Sequence, residues 1–158
     1  MKLTLVVAVM CAVAVSSTDA FAQSSRDPQI VAFNQNFTDA TRHMDNAATM
    51  RLWAKDGVSL LPGHKAIVGK AAIARFLDEI TAKISGYKVL SHQNDFHDVQ
   101  VVGSWASEWA NTTQVVQPPG GKPQITIHGK MLLVLHRDKD GAWKIKEEAW
   151  SSSPAQDQ

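Results

Sequence analysis

Cysteine is nearly absent: the 158 residues contain one, Cys11, and it lies within an N-terminal apolar run. A disulfide framework is therefore excluded, and the fold must rest on its own hydrophobic core. An excess of one charge sign is lacking as well. The formal net charge is +1, with acidic and basic residues interspersed, so neither a nucleic acid nor a membrane surface is an expected partner. No glycine-rich loop opens a helix, because the "PPGGKP" run at 118–123 precedes a strand, and a phosphate cradle of that type is excluded. No serine occupies a strained elbow motif that would mark a nucleophile. Six histidines are present, but no two sit at i, i+4 on a helix with a carboxylate. His92 and His97, with Asp95 and Asp98 nearby, lack closed-site spacing, so no metal and no other cofactor is expected.

What is present begins with an apparent leader. Met1-Lys2 form a short basic start, Leu3 to Val15 are almost continuously apolar, and Ala20-Phe21-Ala22 is a small-x-small cleavage pattern before polar Gln23-Ser24-Ser25. Residues 1–22 read as a secretory signal peptide. The apolar run falls short of the roughly 20 residues that a spanning helix needs, and Met10 before Cys11 does not fit a lipoprotein. The expected location is periplasmic or secreted. Residues 23–152 then suffice for one domain, followed by a flexible polar tail at 153–158. Asn36-Phe37-Thr38 and Asn111-Thr112-Thr113 match the glycosylation pattern, which matters only in a eukaryotic host.

Within the domain, Asp27-Pro28 predicts a helix start, a capping side chain followed by proline at the first helical position. Ile30, Phe33, Phe37, Ala40 and Met44 then recur on one helical face. Asp45-Asn46 predicts a cap for a short helix, "AATMRLWA", that Lys55-Asp56-Gly57 stops. Val58–Leu61 and Ala66–Val68 read as short strands. "KAAIARFLDEITAKI" after Gly69 is an amphipathic helix with Ile73, Phe76, Leu77, Ile80 and Ile84 inward. The remainder reads as strands: 87–94, 98–102, "SWASEWANTTQVV", "QITIHGKMLLVLH" and "AWKIKEEAW", the last two joined by an Asp140-Gly141 turn. This order implies an α+β fold in which three N-terminal helices pack on a curved, mostly antiparallel sheet and enclose a cone-shaped pocket.

The stretches "LWAKDGVSLLPG…IVGKAAIARFL", "VVGSWASEWANTT" and "GKMLLVLHRDKDGAWKIKEEAW" resemble the SnoaL-like, ketosteroid-isomerase-related branch of the nuclear transport factor 2-like superfamily. The resemblance runs from about Asp27 to Ser152. It implies the cone-shaped fold of that superfamily, whose members include isomerases, cyclases, hydratases and binding modules, so function must be argued from the site. Ketosteroid isomerase uses an Asp base and an oxyanion hole made of a Tyr and a protonated Asp. Aligned with that enzyme, this chain places Phe37 at the tyrosine, Leu61 at the base and, within a residue or two, Lys130 at the oxyanion Asp. None of the three can take its role, and steroid isomerisation by that route is not expected.

Strand alternation predicts that Trp105, Ser107 and Trp109, then His128, Lys130, Leu132 and Val134, then Lys146, Glu148 and Trp150 face the pocket. His128 and Glu148 are the candidate acid/base pair and Lys130 the candidate oxyanion stabiliser. Phe37, Trp53, Leu61, Trp105, Trp109, Leu132 and Trp150 are the candidate lining. Two alternatives stand beside this. A strand bulge would reverse the alternation and turn Glu108 and Glu147 inward, and Trp105 and Trp109 would equally suit a homodimer interface on the convex face. The expected function is binding of a small apolar or aromatic molecule by a homodimeric protein. The alternatives are an isomerase, cyclase or hydratase, and a non-catalytic association domain.

Overall fold

The computed structural model describes residues 27–154, so the expected leader and most of the expected tail lie outside the described residues. Helix α1 (Pro28–Arg42) begins where Asp27 Oδ1 accepts from the Gln29 amide at 2.8 Å, with Pro28 in the first turn. It buries Ile30, Phe33, Phe37 and Ala40. Helix α2 (Asn46–Leu52) is capped by Asp45, which accepts from the Ala48 amide at 2.8 Å. Strands β1 (Trp53–Leu60) and β2 (Ile67–Val68) follow, then α3 (Lys70–Lys83), and then β3 (Lys88–Val102), β4 (Trp105–Gln117), β5 (Ile125–Arg137) and β6 (Trp143–Ser152).

The six strands form one sheet in the order β2-β1-β6-β5-β4-β3. Only the β1–β6 pair is parallel; the others are antiparallel. Two boundaries differ from the sequence expectation. Trp53 belongs to β1 and not to the second helix, because it pairs with Ile145 and its ring lies on Gly57, where a Cβ would come within 2.6 Å of Trp53 Cε3. Gly57 thus serves close packing inside a strand and does not stop a helix. Strand β3 is continuous across the expected break, with the irregularity absorbed at Asp98, which has φ 51°.

The inward face of the sheet is set by parity. On β4, Ala106, Glu108, Ala110, Thr112 and Val116 are buried, and on β5, Met131, Leu133 and Leu135 are. The phase changes on β6. Leu135 pairs with Ile145 but Val134 pairs with Glu147, so Lys146 is the extra residue of a bulge. Trp143 and Ile145 before it and Glu148 and Trp150 after it therefore share the inner side, although their parities differ. Small Ala106 and Ala110 share one core cluster with Phe33 and Phe37 of α1.

Candidate functional site

Between the helices and the inner face lies a cavity of about 440 Å³, within the usual size range for small-molecule sites. Helix α1 contributes Phe37, Ala40 and Thr41, with Met44 just beyond its end, and α3 contributes Ile73, Phe76, Leu77 and Ile80, with Ile84 at its C-cap. Trp53 and Leu61 line the β1 side, and Trp150 of β6 with Ile125, Ile127 and Met131 of β5 the adjoining strands. Ile125 and Ile127 are also exposed, which marks them as rim. Among the described residues no lysine or arginine lines the cavity, and its single carboxyl is Glu148.

Glu148 is placed by the parallel β1–β6 pairing, which sets it beside Ser59. The Ser59 hydroxyl, itself 2% exposed, donates to Glu148 Oε2 at 3.0 Å. Burial pushes the Glu148 carboxyl above its ordinary value, and the Ser59 hydrogen bond pulls weakly the other way. Among apolar walls with no cation to compensate a negative charge, the neutral acid is favoured. Oε2 is occupied by Ser59, which leaves Oε1 as the atom through which a protonated Glu148 can donate to a ligand.

Trp150 is fixed beside it. Its indole covers Gly129, where a Cβ would stand 2.6 Å from Trp150 Cε2, Cζ2 and Nε1, and Nε1 donates to Thr112 Oγ1 at 3.4 Å. On the β3 side, Asn94 Nδ2 donates to Thr38 Oγ1 at 3.0 Å. His92 lines the cavity; burial holds its pKa below the ordinary imidazole value, opposed by Asn94. Among the described residues neither ring nitrogen has a hydrogen bond of good geometry, so Asn94 offsets the burial only in part and the neutral imidazole is favoured. Two strands, β4 and β5, separate it from β6 in the sheet.

Of the residues expected from the sequence, Phe37, Trp53, Leu61, Glu148 and Trp150 line the cavity, whereas His128, Lys130, Trp105, Trp109 and Leu132 do not. Those five lie on the opposite face, because the inward parity of β4 is even and that of β5 odd. His128 Nδ1 is 3.3 Å from Thr113 Oγ1, and Lys130 is exposed between Asn111 and Ser151. The expected His128–Glu148 and Lys130–Glu148 pairs are therefore not brought together. Glu108 turns inward but Glu147 is exposed, so the reversed alternation holds on β4 and β5 but not at Glu148 and Trp150 of β6. His92 and His97 point to opposite faces, the latter stacking on Trp109 at 4.3 Å. Among the described residues no group of three or more His, Cys, Asp or Glu is arranged to hold a metal.

Ser59, Thr112 and Gln114 are cavity residues that the sequence reading missed. Only the small Ala106 and Ala110 signalled the correct β4 face, since a close-packed helix requires them beneath it.

A family model for the SnoaL-like domain matches residues 26–148. The chain belongs to this family. Its fold is accordingly the α+β fold of nuclear transport factor 2-like proteins, with three helices and a curved, mixed sheet of six strands. Solved structures share it. A ketosteroid isomerase-like protein from Erwinia carotovora atroseptica is 21% identical, with TM-score 0.69 over 80% of this chain and 96% of that one. ActVI-ORFA from Streptomyces coelicolor is 14% identical, with TM-score 0.69 over 82% and 98%. An NTF2-like protein of unknown function from Pseudomonas putida is 17% identical, with TM-score 0.63 over 84% and 87%. At these identities the likeness speaks for the fold alone. No curated protein matches the chain.

Proposed function

We propose that this protein is a periplasmic or secreted binding protein for an uncharged, largely apolar or aromatic small molecule, and that the ligand presents a hydrogen-bond acceptor to Glu148. The observation that carries this reading is a cavity of about 440 Å³ whose wall, among the described residues, contains one carboxyl, driven toward its neutral form, and no lysine or arginine. An anionic ligand would find no counter-charge there, and a cationic one would have to ionise an acid that burial holds neutral. An acid/base reaction of the kind expected from the sequence has less support, because no histidine contacts Glu148. We take the sheet and helices to enclose the cavity as a cone.

Three probes on one skeleton test the ligand class: fluorenone, an uncharged ketone; fluorene, without the acceptor; and fluorene-9-carboxylate, an anion. Thermal stabilisation is expected in the order fluorenone, fluorene, and none for the carboxylate. Glu148→Leu should bring fluorenone down to the level of fluorene. Equal stabilisation by the carboxylate would refute the reading. Export is tested by N-terminal sequencing of the protein recovered from its host, with a start at Gln23 expected.

A second feature favours homodimerisation through the outer sheet face. Trp105, Trp109 and Leu132 are 45%, 40% and 48% exposed there. His97 and His136 lie against the two indoles, the latter at 4.4 Å from Trp105. An antiparallel face of this kind can meet its own copy across a two-fold axis. Sedimentation equilibrium should give a dimer for the wild type and a monomer for Trp109→Glu. A wild-type monomer would exclude the assembly.

A further inference from the structure

The cavity does not account for the other buried acid. Glu108 lies near the start of β4, 2% exposed, with Leu133 of β5 on one side and the irregular Asp98 region of β3 on the other. Its contact from above is Asn34 of α1, whose Nδ2 donates to Glu108 Oε2 at 2.8 Å. One oxygen of each group is left over: Asn34 Oδ1 and Glu108 Oε1 are both buried and have no partner. Two leftover acceptors facing no donor, beside an otherwise good hydrogen bond, are what a missing proton leaves behind.

We propose that Glu108 is protonated on Oε1 and donates to Asn34 Oδ1, closing a cyclic acid–amide pair that fastens α1 to the sheet and opens when the acid ionises. One proton satisfies both orphaned oxygens, whereas a carboxylate would leave them unpaired and place an uncompensated charge in the core. Among the described residues no charged group pairs with Glu108 in place of Asn34. On α1, Asp27 faces Arg137 at 3.9 Å and Asp39 and Arg42 are exposed. On β3, Asp95 and Asp98 are exposed and His97 stacks on Trp109. On β5, Arg137 lies over the Trp143 ring, 4.5 Å from its centre. On β6, Lys144 donates to the Arg51 carbonyl and Lys146 pairs with Asp56. Burial, opposed only by the Asn34 hydrogen bond, pushes the Glu108 carboxyl up to about 7 from an ordinary 4.5.

The direction of the pH effect follows from linkage. The folded protein holds the proton more tightly than the unfolded chain, so this contribution to stability is whole below about 4.5, declines as pH rises, and is gone above about 7. Because α1 also carries Phe37, Ala40 and Thr41 of the cavity wall, opening the pair loosens one wall of the cavity.

Glu148 is a second buried acid, so the test is made in a Glu148→Gln parent. Infrared spectra of that parent should show a protonated-carboxyl stretch at pH 6 that disappears by pH 8.5. Its urea midpoint should fall between pH 5 and 7 and then level off. Adding Glu108→Gln keeps both hydrogen bonds, since the new amide donates to Asn34 Oδ1 while its carbonyl accepts from Nδ2. The double variant should lose the infrared band and show a flat midpoint over the same range. Amide exchange in α1, corrected for intrinsic rate, should quicken above pH 7 in the parent and not in the double variant. A parent without the pH 6 band, or a double variant with the parent's pH profile, would overturn the proposal. The infrared measurement decides the matter even if the double variant does not fold.

Discussion

Gly129 offers the sharpest perturbation of the cavity that removes no polar group. Its backbone is ordinary strand, without the positive φ found at the turn glycines, so its role is space alone. A methyl at this position would come within 2.6 Å of three atoms of the Trp150 indole. Ordinary contact begins near 3.4 Å, so the indole must retreat by roughly an ångström, into the cavity that it lines. Overpacking of this kind costs about 1–3 kcal/mol. The Trp150 to Thr112 hydrogen bond, already 3.4 Å long, would break and add about 0.5–1.5 kcal/mol. Urea denaturation of Gly129→Ala should therefore show a loss of about 1.5–4.5 kcal/mol, with an altered near-UV spectrum from the displaced indole. A change below about 0.5 kcal/mol with an unchanged near-UV spectrum would refute the packing argument, because exposed strand substitutions fall in that range.

Two further outcomes follow from the buried acids. Ser59→Ala removes the hydrogen bond that lowers the Glu148 carboxyl pKa, so the pH at which fluorenone binding fades should move upward, whereas fluorene binding stays flat. A downward shift would show that Ser59 does not stabilise the carboxylate. For Glu108, the rise from 4.5 to about 7, at 1.36 kcal/mol per pH unit, gives a stability loss of about 3 kcal/mol across that interval. Urea midpoints at half-unit steps would measure it, and a stability that rises through the interval would contradict the sign.

Much of this architecture was legible in the sequence, and the exceptions have physical causes. Asp27-Pro28, Asp45 and the periodic apolar residues of α1 and α3 announced the helices, because capping and amphipathicity are local. The reversal at 118–123 and the Asp140-Gly141 turn likewise announced the long strands. The inner face of β4 and β5 was not legible, because both faces are apolar: Trp105, Trp109 and Leu132 on the outside are as hydrophobic as Met131 and Leu133 within. Parity there depends on how the strands register against one another, which no single segment encodes. Glu148 and Trp150 were read inward and line the cavity, but the bulge at Lys146 that also turns Trp143 and Ile145 inward carries no sequence mark. His128 was misplaced by one step of the same alternation. Ser59 reaches Glu148 through a parallel pairing between strands 89 positions apart in the chain, beyond the reach of any local pattern. Trp53 read as helical from its neighbours, and only its tertiary pairing with Ile145 made it a strand residue.

The central claim is that the cavity takes an uncharged apolar ligand, and fluorescence titration with Nile red tests it most directly. This uncharged polycyclic dye brightens and shifts to the blue in apolar surroundings and carries a carbonyl that can meet Glu148. Leu61→Trp fills the cavity from the end of β1 while leaving the sheet and Glu148 intact. The wild type should bind one dye per chain saturably, and a Leu61→Trp protein with an unchanged far-UV spectrum should bind at least tenfold more weakly. Equal affinity in the two proteins, or no saturable binding by the wild type, would contradict the account.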